Sequence, residues 1–120
     1  LSLTVGESGK PFYIATGVDM STNTDLEAVF TKPNGVIVTK TKVGGEVILG
    51  TSPGTFPGVG SVLANEYMIY TIEDGFLDAA ADFDDKNHWQ VYGKYIDTVP
   101  DPDDVYIGEC AAFTVLATCS

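Results

Sequence analysis

Apolar and polar residues alternate in short runs along this chain, and the runs recur about every ten residues between clusters of Gly, Pro and Asn, the spacing of a sandwich or barrel. Helix-period stretches are almost absent. The pattern predicts strands over residues 3–5, 12–16, 26–31, 36–42, 46–51, 66–73, 88–97 and 105–118, each bounded by a breaker. Within 88–97, Trp89, Val91, Gly93 and Tyr95 share one face by period-two alternation, while His88, Gln90, Tyr92 and Lys94 share the other. The first face is assigned to the core, so Trp89 is expected to be buried. Phe113 with Val115, and Leu26 with Ala28 and Phe30, complete that core, and Tyr67 and Ile69 are assigned to it from strand 66–73. The sum is an all-β, two-sheet sandwich of about seven to eight antiparallel strands in one domain spanning residues 1–120.

The punctuation supports this order. Lys32-Pro33-Asn34-Gly35 is a turn signal, since Pro presets φ at the second position and Asn-Gly tolerates φ > 0, so it joins strands 26–31 and 36–42 as a hairpin. Val43-Gly44-Gly45 is the next turn. Residues 50–61 hold so many Gly and Pro that regular structure is not expected, and they read as a long surface loop. Residues 75–81 suit one helical turn between strands, its apolar residues capping the end of the core.

Composition limits the partners. A chain of 120 residues buries roughly two thirds of its unfolded surface in one core and leaves no room for a second domain. No apolar stretch approaches the ~20 residues that cross a bilayer, so no membrane partner is expected. No basic segment followed by an apolar run opens the chain, and the missing initiator Met leaves room for processing before Leu1, so the N-terminus leaves localisation open. Lys contributes 6 positive charges against 17 acids, with no Arg, for a net −11. A nucleic-acid surface needs clustered cations to displace counterions from phosphates, so no nucleic-acid partner is expected. The charge is uneven: residues 61–120 carry 12 acids and 2 Lys, concentrated in segments 78–85 and 97–104.

Candidate chemistry is sparse. His88 is the single histidine, with no nucleophile motif beside it, and reads as an ordinary residue at a strand start. Cys110 and Cys119 lack a neighbouring base and Cys-x-x-Cys spacing, and each reads as a small core residue. On one continuous strand they would stand about 30 Å apart, beyond disulfide reach, so two free thiols are expected. Carboxylates in segments 82–85 and 97–104 would offer ligands to Ca²⁺ only if those loops met in space, and their spacing matches no EF-hand. Solvated acidic loops are the plainer reading, so no catalytic residue, cofactor or metal is expected. Phe56, in the Gly/Pro loop, is an aromatic that something should cover, either the parent domain or a neighbour. Asp101, Asp103 and Asp104 are the other candidate partner contacts.

Several segments taken in order carry a resemblance: Val5-Gly6-Glu7-Ser8-Gly9, Thr16-Gly17-Val18-Asp19-Met20-Ser21, Lys32-Pro33-Asn34-Gly35, Tyr70-Thr71 leading to Asp74-Gly75-Phe76-Leu77-Asp78, Trp89-Gln90-Val91-Tyr92, and Gly108-Glu109 before Phe113-Thr114-Val115. Together they resemble small immunoglobulin-like phage virion proteins, related to the N-terminal domain of phage baseplate upper proteins. The resemblance implies an immunoglobulin-like sandwich and a structural role in a tailed-phage particle. There the chain would decorate the head or link tail or neck components, through contacts with other virion proteins in multiple copies. It implies manufacture in the host bacterial cytoplasm and residence in the virion, and it transfers no catalytic residue. Residues 50–61 are longer than the pattern and residues 98–104 look like an acidic insertion, which marks both as contact sites. The rival expectation is a carbohydrate- or receptor-binding module of a tail fibre or adhesin.

Overall fold

The computed structural model describes residues 3–118. The chain is all-β, and no helix occurs among the described residues. Its strands are β1 (Leu3–Thr4), β2 (Pro11–Ala15), β3 (Asp25–Thr31), β4 (Ile37–Thr41), β5 (Val47–Leu49), β6 (Gly54–Phe56), β7 (Gly60–Val62), β8 (Tyr67–Thr71), β9 (Trp89–Asp97), β10 (Asp104–Ile107), β11 (Ala111–Phe113) and β12 (Val115–Leu116). One antiparallel sheet runs β4-β3-β9, with β10 and β11 both paired along the outer side of β9. The second antiparallel sheet runs β2-β8-β5. β1 pairs with β12 in parallel, and β6 and β7 form a separate hairpin.

The two larger sheets face each other through the core. From β3, Leu26, Ala28 and Phe30 are fully buried, and from β8 so are Met68 and Tyr70. Phe30 meets Tyr70 at 5.3 Å and Phe12 at 5.5 Å between ring centroids. On β9 the expected face is the buried one, with Trp89, Val91 and Tyr95 inside and Gln90, Tyr92 and Lys94 half-buried outside. The β3–β4 hairpin closes as its residues dictate: Gly35 adopts φ +87°, its amide donates to the Lys32 carbonyl, and the Lys32 amide donates to Val36.

Four expectations need correction. In β8 the core-facing pair is Met68 and Tyr70, not Tyr67 and Ile69. The run Tyr-Met-Ile-Tyr is apolar at every position because its outer face is covered too, so alternation gave no parity. Tyr67 is buried on that outer face beneath the β6–β7 hairpin, and Ile69 is half-buried there. That hairpin is itself the second correction, since it lies inside the supposed irregular loop, with the Pro57-Gly58 turn at its tip. Third, residues 75–81 form no helical turn. Gly75 turns the chain at φ +78° and Phe76 and Leu77 drop into the core, capping it without helical hydrogen bonds.

The fourth correction concerns the last strand, which is not continuous. Ile107 pairs with Lys94 and Ala111 pairs with Val91, so three residues (Gly108, Glu109, Cys110) oppose two (Tyr92, Gly93). This is a β-bulge, anchored by the Gly108 amide donating to the Gly93 carbonyl at 2.8 Å. One extra residue exchanges the faces of everything after it. Val105 and Ile107 therefore point outward, 47% and 60% exposed, while Phe113, of the same parity, turns inward to Phe12 and Trp89.

Candidate functional site

Three loops gather at one end of the sheets: residues 16–24 before β3, 42–46 after β4, and 98–103 between β9 and β10. Hydrogen bonds tie them together. The Thr24 amide donates to the Ile96 carbonyl, the Thr98 amide to Thr24 Oγ1 at 3.1 Å, the Val43 amide to Asp25 Oδ1 at 3.1 Å, and Lys42 Nζ to Asn23 Oδ1 at 2.9 Å. Beneath them Asp97 is the one buried carboxylate among the described residues, accepting from the Val99 amide at 3.0 Å. Thr22 and Tyr95 share a hydroxyl contact at 2.7 Å. On this pinned base Val43 and Val99 are 76% and 83% exposed. Asp101, Asp103 and Asp104 are exposed beside Val99, with a cis peptide between Asp101 and Pro102. The sequence identified these carboxylates but not the two valines, whose signal is an apolar residue stranded in a turn.

Phe56 lies elsewhere, on the outer face of the β2-β8-β5 sheet. Its ring stacks on Tyr13 at 4.5 Å and leans on Tyr67 at 5.1 Å, leaving it half-buried. Of the two ways to cover this aromatic, the parent domain supplies one, while part of the ring stays open to solvent.

The two acidic segments sit at opposite ends of β9, which at nine residues holds them about 26 Å apart, so they do not form one ligand set. No group of three or more metal-ligating side chains occurs among the described residues. His88 Nδ1 donates to the Asp85 carbonyl (2.8 Å), and its Nε2 accepts from the side-chain Nε2 of Gln90 (2.9 Å). Cys110 is a free thiol and, contrary to the core assignment, exposed: it stands on the bulge, donating to Gln90 Oε1 at 3.6 Å. Cys119 lies outside the described residues, so its relation to Cys110 is not part of this geometry.

Three groups with shifted pKa values, Lys40 of β4, Tyr70 of β8 and Glu73 just after β8, meet in one packed cluster. Lys40 Nζ bridges Glu73 (2.9 Å) and Glu46 (3.2 Å) and lies over the Tyr70 and Phe76 rings. Burial opposes its charge, but the hydrogen bonds to Glu73 and Glu46 prevail and its pKa is raised. The same bond from Lys40 lowers that of Glu73. Burial pushes the Tyr70 hydroxyl up to about 12.

A cleft of about 470 Å³ opens between the outer edges of β2 and β11, where the two sheets part. Phe12, Phe113, Ala111 and Val59 supply apolar walls, Phe83 stands at its rim 59% exposed, and Glu109 is the charged side chain lining it. No protein-family model, curated protein or solved structure matches the chain.

Proposed function

We propose that this chain is an immunoglobulin-like structural module that works by holding other proteins, and that its setting is the particle of a tailed bacteriophage. The strand order supports the fold reading. Assigning the letters B, C and C′ to β2, β3 and β4, D and E to β5 and β8, F to β9 and G to β10–β11 reproduces the B-E-D and G-F-C-C′ sheets of a variable-type domain. β1 then runs beside the end of G in parallel. The B–F disulfide of antibody domains has no counterpart, since neither β2 nor β9 contains Cys.

The observation that carries the protein-binding reading is the loop end. Three loops locked by cross-loop hydrogen bonds hold Val43 and Val99 out to solvent beside Asp101, Asp103 and Asp104. Exposed apolar tips on a pre-ordered base lose little entropy when a neighbour covers them, and a polar rim gives register. The phage setting rests on the family resemblance in the turn and strand motifs.

Mass spectrometry of purified particles with copy counting tests this. Copies in the hundreds place the chain on the head, and a small multiple of a ring symmetry places it in the tail or neck. Absence from particles, together with saturable binding of the isolated domain to a glycan array, would replace the reading with a carbohydrate-binding module.

A further inference from the structure

We propose that the free edge of β2, with the cleft beside it, takes up an extended segment of a partner polypeptide as an added strand, apolar where its side chains turn inward and basic at its flanks. This deepens the protein-binding reading and rests on it, but not on which particle the chain serves.

The backbone provides the first argument. Thr16 donates to the Glu66 carbonyl and Ile72 donates to the Lys10 carbonyl, so the even-numbered residues of β2 spend their peptide groups on β8. In an antiparallel ladder the alternate residues point the other way, so Tyr13 and Ala15 turn N–H and C=O groups outward. Pro11 has no N–H, which limits the docking segment to the stretch after it. β1, the strand that precedes β2 in the chain, is paired with β12 and not with this edge.

The cleft and its charge define the guest. Side chains turned inward from an added strand would enter a space walled by Phe12, Phe113, Ala111 and Val59, which rewards apolar residues. Glu109 lines it with no Lys beside it, and the Asp82 carboxylate accepts from Thr114 Oγ1 of the lining at 3.1 Å. That field attracts a basic segment and repels a second copy carrying −11. Other edges compare poorly: β5 has three residues, the β10–β11 edge is broken by its bulge, and β4, as long as β2, carries Lys40 and is followed by Lys42, which disfavours a basic guest.

The test is nuclear magnetic resonance of the full chain with a short synthetic peptide of alternating Val and Lys, against one of alternating Val and Glu. The Val/Lys peptide is expected to slow hydrogen exchange at the Tyr13 and Ala15 amides, and Ala15→Pro, which removes an outward donor without touching the β8 ladder, to weaken its binding about tenfold or more. Exchange in the unmodified protein decides the matter if that variant folds poorly. No binding at millimolar peptide, or binding that perturbs only the loop at Asp101, Asp103 and Asp104, overturns the proposal. So does protection of Tyr13 and Ala15 that grows with protein concentration alone, which would make the guest a second copy. Peptide protection of this edge in a chain absent from particles would sink the virion reading and leave the edge site standing.

Discussion

A Cβ placed on Gly93 of β9 would stand 2.9 Å from Cε of Met68 on β8, so the two sheets meet there with no allowance for a side chain. Ile14 and Thr16 crowd the same point, each with a methyl at 3.1 Å. Gly93→Val should therefore overpack the core and cost about 1–3 kcal/mol in urea unfolding, with Gly93→Ala between it and the original. An unchanged midpoint for the Val variant would mean that the sheets separate at no cost.

Trp89 is the largest fully buried side chain, and its Nε1 donates to the Ala79 carbonyl at 2.9 Å, tying the crossover to β9. Its ring also packs at 5.6 Å from Phe76 and 5.8 Å from Phe113. Trp89→Ala should cost about 3–5 kcal/mol, enough to threaten folding in a domain of ordinary stability. A loss below about 1 kcal/mol in denaturant melts would contradict this burial.

Stability should depend on pH at both extremes. Glu73 has a lowered pKa, so its contribution is present above the unfolded carboxylate value and is lost as pH falls through the folded one; Glu73→Gln should flatten the acid limb. Tyr70, raised to about 12, and Lys40, also raised, favour the folded state while protonated. Their contributions are full below the unfolded values near 10 and fade as pH climbs through the folded ones. Tyrosinate absorbance of the folded protein should show a component near 12 that Tyr70→Phe removes. Titration of that component near 10 would mean that Tyr70 is solvated.

Replacing Asp101, Asp103 and Asp104 together with Asn should slow association with the proposed protein partner at low salt and matter little at high salt. The Debye length shrinks from about 10 Å at 0.1 M to about 3 Å at 1 M, which screens steering by exposed charges. Melting temperature should hardly move, because such charges contribute little to folding. Equal association rates for both forms at every ionic strength would turn this loop away from the partner. A large rise in melting temperature with millimolar calcium, seen only in the original domain, would make these residues ligands.

Periodicity made the central strands legible. Trp89, Val91 and Tyr95, and Leu26, Ala28 and Phe30, each stand out because the opposite face carries polar residues such as Gln90, Lys94, Glu27 and Thr31, although Val29 there is buried too, and Lys32-Pro33-Asn34-Gly35 closes its hairpin through residue chemistry alone. The alternation disappears where both faces are covered, as at Tyr67–Thr71, where Phe56 and its hairpin shield the outside. Nor could local pattern reveal pairings between distant segments: β1 beside β12, or the gap between β2 and β11 that forms the cleft. Of the candidate contacts, the three aspartates fell together because they are neighbours in sequence, whereas Val43 joins Val99 only through folding.

The bulge at Gly108, Glu109 and Cys110 sets a reading phase for the end of the chain. Its identity is loosely constrained at Glu109 and Cys110, both exposed, but its length is not. Losing one residue there would send Phe113 and Val115 outward and bring Ala112 and Thr114 in, emptying one corner of the core without altering a single core residue. Sequence drift in this segment should consequently proceed by replacement and almost never by insertion or deletion. Residues 100–103, which lie outside every strand pairing, carry no such phase and can change length.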